Sequence, residues 1–191
     1  MTELWLIRHG QTDWNTEGRI QGSIDQPLNE CGIDQVKKLA AKLNGNEFAA
    51  VYSSPAIRAF QTAAILMEGR DIQIQCDDRL KEINLGIWEG LTWQEVKKEY
   101  PELLRKREAD PERVAPPGSE NFRELAERMI AAVNDIAAAH PDERVLVVSH
   151  GMTIASLICT IHGIPLKQAY DHVPNNATPV VLPWKSNFTI G

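Results

Sequence analysis

Two apolar runs, LWLI at Leu4 to Ile7 and VLVV within Arg144 to His150, are bounded by charged or turn-forming residues and predict buried strands. Shorter runs predict further strands at Ala50 to Ser54 and at Ile72 to Cys76, where IQIQC alternates apolar and polar positions. Helical spacing predicts helices from about Asn29 to Leu43, with Asn29 as cap, and from Ile57 to Met67. The stretch Thr92 to Glu108 reads as helical with Pro101 interrupting it, and the loop Asp110 to Gly118 holds three of the 11 prolines. Ser119 is a candidate cap, with Glu120 in the first turn, for a helix running to about His140. An apolar helix spans Met152 to Ile161, and Ala177 to Trp184 reads as an edge strand because Pro179 and Pro183 interrupt it. The region between the first strand and Asn29 reads as a long polar loop. Strands alternating with helices imply an α/β fold: a mostly parallel central sheet with helices on both faces, a three-layer sandwich.

Length and composition narrow the picture. The 191 residues, 43% of them hydrophobic, suit one domain over 1–191 that buries a core without assistance. No basic amino-terminal region leads into an apolar core, and no run approaches the ~20 apolar residues that span a bilayer, so a cytoplasmic protein without membrane contact is expected. Cys31, Cys76 and Cys159 are odd in number and widely spaced, which predicts reduced thiols rather than disulfides or a zinc site. A formal net charge of -6 argues against a nucleic-acid surface. Any anionic ligand must therefore meet a local cluster of cations.

Such a cluster is legible. WLIRHG and VVSHG both end a predicted strand in histidine and glycine, so parallel central strands would bring His9 and His150 to one edge of the sheet. Either histidine alone reads as a hydrogen-bonded strand end; two in the same setting, each beside a glycine that admits close approach, point to a site. In SSPAIRAFQTA, Pro55 suits a first helical turn and Arg58 falls near the same rim, where helix amides favour an anion. Arg8 and Arg58 supply two guanidinium forks beside two imidazoles, which is chemistry suited to a phosphoryl group. Glu82, in EINLGIWEG, is either an exposed loop carboxylate or a general acid whose pKa is raised against apolar surface.

Taken in order, LIRHGQTDWNTEGRIQG, DQPLNECG, SSPAIRAFQTA, EINLGIWEG and SHG resemble the histidine phosphatase superfamily in its phosphoglycerate-mutase-like branch, over most of the chain. The resemblance implies a phosphoglycerate-mutase-like fold and a metal-independent phosphoric monoester hydrolase of the histidine acid type, with no cofactor and a small phosphorylated substrate. His9 would be the nucleophile, forming a covalent phosphohistidine. Arg8, Arg58 and a protonated His150 would hold the phosphoryl oxygens, and Glu82 would give a proton to the leaving alcohol. Asn15, Gln21 and the backbone around Gly22 match family positions near phosphate and substrate. Gln11 stands where many members carry glutamate, which changes the charge at the mouth. The compact chain and the EINLGIWEG segment look like the phosphatase branch; mutases resemble longer chains whose motif runs nearer to ERHYGxLxG. Both broad-specificity and α-ribazole-phosphate phosphatases are similar.

Three alternatives remain at this stage: phosphoglycerate mutase activity, a non-catalytic phosphate-binding regulatory module, and a metal-dependent hydrolase using the histidines and Glu82. The arginines would repel a cation, and no HxxxH or carboxylate-rich run supports a metal. Specificity is expected in a lid-like insertion at about 89–118, where Trp93, Tyr100 and Leu103 offer apolar surface. Arg105, Lys106 and Arg107 read there either as a solvated basic face or as a second anion site. His140, His162 and His172 read as caps or surface residues. Trp5 is expected in the core, with Trp14 and Trp88 lining the pocket. The chain is expected to be a monomer or a homodimer.

Overall fold

The computed structural model describes residues 1–189; residues 190 and 191, within the expected domain, lie outside the described ones. The order of elements is β1 (Thr2–Arg8), α1 (Asp13–Glu17), α2 (Glu30–Lys42), β2 (Ala50–Ser53), α3 (Ile57–Leu66), β3 (Ile74–Cys76), α4 (Trp93–Glu99), α5 (Pro101–Ala109), α6 (Phe122–Ala139), β4 (Arg144–Ser149), α7 (Gly151–Ile161) and β5 (Pro179–Trp184). Single helical turns lie at Asp78–Leu80, Gly86–Trp88 and Leu166–His172.

The sheet runs β3-β2-β4-β1-β5, parallel except where β5 joins β1 antiparallel at the edge. Because β4 inserts between β1 and β2, residues distant in sequence become neighbours: Arg8 pairs with Ser149, and Ser53 with Val148. Strand alternation then sorts side chains to two faces. Leu4, Leu6, Val145 and Val147 meet Met129, Val133 and Ile136 of α6 and Ile154 and Leu157 of α7. On the other face Ile7, Val51, Leu146 and Val148 pack against Val36 and Leu39 of α2 and Ala59, Ala63 and Leu66 of α3. Full burial of each such Leu or Ile contributes roughly 1.5–3 kcal/mol, which is why the two apolar runs end in the middle of the sheet.

Several boundaries differ from the sequence reading. The polar loop after β1 contains α1, started by a capping box in which Thr12 and Asn15 satisfy each other's backbone amides. Only Ile74 to Cys76 of IQIQC pairs, at the outer edge of the sheet. Pro55 precedes α3 rather than entering it. Pro101 ends α4 and occupies the first turn of α5, where its missing N–H costs nothing. The cap of α6 is Asn121, boxed with Glu124, and not Ser119, whose hydroxyl donates to the Pro116 carbonyl. Glu120 accordingly lies outside the helix and pairs with Arg128.

A third cluster sits beyond the sheet's carboxyl edge: Ile83, Leu85, Trp88, Val96, Phe122, Leu125, Met152 and Ala155, with Tyr100, Leu103 and Leu104 against it. It seats α4 and α5, the helices of the expected 89–118 insertion, over the strand ends. Trp88 is fully buried here and lines no pocket; Trp14 is also absent from the cavity wall, and Trp93 takes that position. Trp5 is half-buried at the core's margin against Phe48 and Arg144. His140 ends α6 and bonds Tyr52 and Glu143. Among the described residues no helix is long and apolar enough to cross a membrane. All three cysteines are free thiols.

Candidate active site

At the carboxyl edge of β1, β4 and β2, a cavity of about 230 Å³ opens, lined by Arg8, His9, Asn15, Gln21, Gly22, Arg58, Glu82 and Gly151. His150 lies fully buried just behind, its ring centroid 5.2 Å from that of His9 with the planes at 64°. The two strand-end histidines and both arginines therefore converge as the motifs imply.

His9 is fixed from several sides. Its amide continues the ladder to the Ser149 carbonyl, its own carbonyl accepts from Asn176, and Thr62 accepts from the following Gly10 amide. The ring Nδ1 lies 2.7 Å from the Gly10 carbonyl. A carbonyl can only accept, so Nδ1 carries the proton and Nε2 keeps its lone pair. Burial first, then the charge of Arg58 and Arg8, holds the His9 pKa well below its usual value, with the Gly10 bond opposing. The imidazole is thus neutral and nucleophilic at ordinary pH.

The same forces depress His150: burial most, then Arg58, His9, Arg128 and Arg8. Its Nε2 bonds Ser54 Oγ at 2.8 Å, whereas Nδ1 has no protein partner. The expected protonated His150 is therefore not the resting form; a proton there requires an arriving anion. Arg8 Nε and Arg58 Nε are likewise buried without partners. Arg58, 1% exposed, donates to the carbonyls of Ile24 and Gly22, and Arg8 to that of Pro174. Three buried nitrogens on three cationic or protonatable groups thus lie unsatisfied around the His9 ring, an arrangement able to bind an oxyanion.

The depressed histidines make a stability prediction. Below about pH 6.5 the unfolded chain takes up protons that the native site refuses, so stability is complete above that pH and falls as pH drops. Each histidine contributes up to about 1.4 kcal/mol per pH unit there. Urea unfolding between pH 6.5 and 5.5 is expected to show this loss, above the range where ordinary carboxylates titrate. A His9→Asn/His150→Asn double variant should flatten it; an unchanged slope would refute the assignment.

Glu82 occupies neither setting read from the sequence: it is half-buried among hydrogen-bond donors. Its Oε1 accepts from the amides of Ile83 and Thr153 and the Thr153 hydroxyl, and Oε2 from the Met152 amide at 3.2 Å. The carboxylate is thus held on the first turn of α7, adjoining His150. Arg128, from α6, clamps the backbone beneath it by donating to the carbonyls of Arg79, Lys81 and Glu82 while pairing with Glu120.

Of the secondary positions, Gln21 Oε1 accepts from Thr12, and Asn15 both caps α1 and lines the cavity. Gln11 turns to Gln35 and Asn29 and does not line the mouth. The glycines after the histidines are required by the protein's own packing, whatever they offer a ligand. A Cβ on Gly10 would meet the Gly32 carbonyl at 2.7 Å, and one on Gly151 would meet Val173 at 2.9 Å and crowd the Arg8 guanidinium.

Gly22 has φ +50°, and a Cβ there would collide with the Glu89 carboxylate. That carboxylate is not free to move: it accepts from the Ser23 amide and hydroxyl and the Leu85 amide. Because Arg58 holds the Gly22 carbonyl, Gly22→Ala is expected to displace the guanidinium. A misplacement of order 1 Å lowers kcat/KM by roughly a hundredfold, measured on any hydrolysed monoester. Unchanged kinetics would show that this loop does not position Arg58.

Sequence reasoning did not single out Ser54, Glu89, Arg128 or Tyr170. Tyr170 reaches the cavity from the turn at Leu166–His172, and nothing local marks it. Arg19 also lines the wall, but its guanidinium is engaged by Glu17 and the Gly90 carbonyl. No cluster of three His, Cys, Asp or Glu able to hold a metal occurs among the described residues.

A cavity rich in arginine and histidine, built on paired strand-end histidines, frames the class of protein. Residues 4–189 match the family model for the histidine phosphatase superfamily, branch 1, and the chain belongs to that family. It is 32% identical over 182 residues to phosphoserine phosphatase 1 of Hydrogenobacter thermophilus, covering 95% of this chain and 86% of the relative. It is 35% identical over 166 residues to "Probable phosphoglycerate mutase GpmB" of Cronobacter sakazakii, covering 86% and 77%. The α-ribazole phosphatase structure from Shigella flexneri superposes with a TM-score of 0.87 at 25% identity, covering 96% of this chain and 91% of that one.

Proposed function

We propose that the protein is a phosphomonoesterase that hydrolyses small phosphorylated metabolites through a phosphohistidine on His9. The observation that carries this reading is the neutral His9 ring, with its Nε2 lone pair, set among the unpartnered nitrogens of Arg8, Arg58 and His150. Family membership and the phosphatase-named relatives support it.

In the first step Nε2 of His9 attacks phosphorus in line with the ester oxygen, the P–O bond to the alcohol breaks, and Glu82 supplies a proton to the departing alkoxide. Arg8 and Arg58 spread the equatorial charge over two guanidinium groups. The arriving phosphate dianion offsets the burial and neighbouring positive charge that keep His150 neutral, so Nδ1 takes a proton from solvent and donates to it. In the second step Glu82, now ionised, takes a proton from water; the water oxygen attacks phosphorus, the P–N bond breaks, and inorganic phosphate leaves with His9 restored. Asn15 and the Gln21 amide supply further donors at the rim. A neutral imidazole needs no metal to make it a nucleophile.

The test is rapid quenching with an aryl phosphate in chelator. An acid-labile phosphoenzyme and steady phosphate release are expected. Isomerisation of 3-phosphoglycerate faster than phosphate release would reassign the protein as a mutase, and activity lost to chelator and restored by zinc would overturn the mechanism.

A further inference from the structure

Arg105, Lys106 and Arg107 follow one another in α5, yet the fold treats them differently. Arg105 is exposed and pairs with Glu102, and Lys106 is exposed. Arg107 is 3% exposed. Its Nη1 donates to the Val114 carbonyl at 2.9 Å and, more weakly, towards that of Glu120 at 3.4 Å; Nε and Nη2 have no hydrogen-bond partner. The guanidinium carbon lies 4.9 Å from the Phe122 ring centroid and 6.0 Å from that of Trp88. No carboxylate bonds it: Glu120, whose charge favours the cation from a distance, commits both oxygens to Arg128. A buried cation held by a carbonyl, ring faces and the neighbouring Tyr170 side chain is incompletely compensated, and its planar fork is suited to an anion.

Arg107 forms part of the wall of a second cavity, about 410 Å³, which shares Trp93 and Tyr170 with the catalytic cavity. Leu104, Pro111 and Phe122 make the rest of the wall apolar, while Lys97 and Lys167 add positive charge against the single acid Glu108. In a chain of net charge -6, three cations around one apolar chamber are a local reversal of sign.

We propose that this chamber is a specificity subsite for the leaving alcohol of the substrate. Trp93 and Tyr170 meet edge to face, ring centroids 5.9 Å apart, so the alcohol crosses over their exposed outer edges, lays an aromatic or otherwise apolar body against Phe122 and Leu104, and ends in an anionic group recognised by Arg107 with Lys167 at the rim. This rests on the phosphomonoesterase reading of the adjoining site and adds the class of ester it selects. The anion is a carboxylate or a second phosphate, which share the same recognition.

Three probes separate the possibilities: phenyl phosphate bearing a carboxylate on a short para-alkyl chain, the same ester as its primary amide, and the same ester as its phosphonate. The alkyl spacer insulates the leaving phenol, so chemistry at phosphorus is equal. The parent is expected to favour either anionic probe over the amide by about tenfold or more in kcat/KM, chiefly through KM. The larger of the two preferences identifies the anion. In Arg107→Met the preference should fall to about one. Lys167→Met, at an exposed position that cannot compromise the core, should reduce it severalfold, and the exposed Arg105→Ala should leave it intact. A ratio near one in the parent, or one that survives both Arg107→Met and Lys167→Met, overturns the subsite. If no probe is hydrolysed, the phosphatase reading fails by itself; calorimetric binding of the same probes to His9→Ala then decides the subsite independently, with the anion preference expected to persist.

Discussion

His9→Ala is expected to lower turnover of an aryl phosphate by on the order of 10⁴-fold or more, and to abolish the trapped phosphoenzyme entirely. The expectation follows from how the site is built. The Gly10 carbonyl accepts the Nδ1–H hydrogen bond, burial and Arg58 keep the ring neutral, and Nε2 is left as the nucleophilic atom. Alanine removes that atom while leaving Arg8, Arg58 and His150 in place, so the variant should still bind inorganic phosphate or vanadate. Retained binding with lost turnover separates a missing nucleophile from a damaged fold. A variant that hydrolysed the ester within tenfold of the parent rate would mean that water attacks directly, and the covalent scheme would be abandoned.

Glu82→Gln should show the second-largest effect, and one that depends on the leaving group. Proton donation by a positioned carboxyl contributes roughly 10²- to 10⁴-fold where the alkoxide is a poor leaving group. An alkyl phosphate should therefore lose about that much, while a nitrophenyl phosphate, whose phenolate departs without help, should lose markedly less. Glutamine is close in size and can keep one carbonyl oxygen before the Thr153 amide and hydroxyl, so packing should survive. Parallel losses on both esters would indicate that Glu82 organises the α7 amides instead of moving a proton. Comparing the two esters in single-turnover mode isolates the first step, because the second step shares one phosphoenzyme whatever the alcohol.

Much of the fold is legible along the chain because strands of this type are buried on both faces. Such strands need unbroken apolar runs, and the runs before Arg8 and before Ser149 are unmistakable. Helix starts were legible where a cap is followed directly by the helix, as at Asn29. They were misjudged where two capping residues compete: Ser119 and Asn121 are equivalent in composition, and the box with Glu124 decides for Asn121. The five-residue α1 was missed because it buries no residue and so leaves no apolar period.

The site divides along the same line. Arg8, His9, Arg58 and His150 were identifiable because each sits within a few residues of an element end, where chain direction delivers it to the sheet's edge; Glu82 stood out only through the family resemblance of EINLGIWEG. What supports them was not. Ser54 meets His150 only because β4 inserts between β1 and β2; Arg128 reaches the Glu82 backbone across the full width of a helix packing; Glu89 joins two loops. The 89–118 segment illustrates the limit best. Successive residues on a helix point about 100° apart, so among three adjacent cations one can turn inward while its neighbours face water. By itself, then, the sequence determined the layered α/β architecture and the common edge shared by Arg8, His9, Arg58 and His150, since these follow from local periodicity and strand polarity. Only the tertiary structure decided the protonation of the histidines, the hydrogen-bonded seat of Glu82 and the burial of Arg107, because burial, charge and orphaned donors depend on neighbours that no local pattern names.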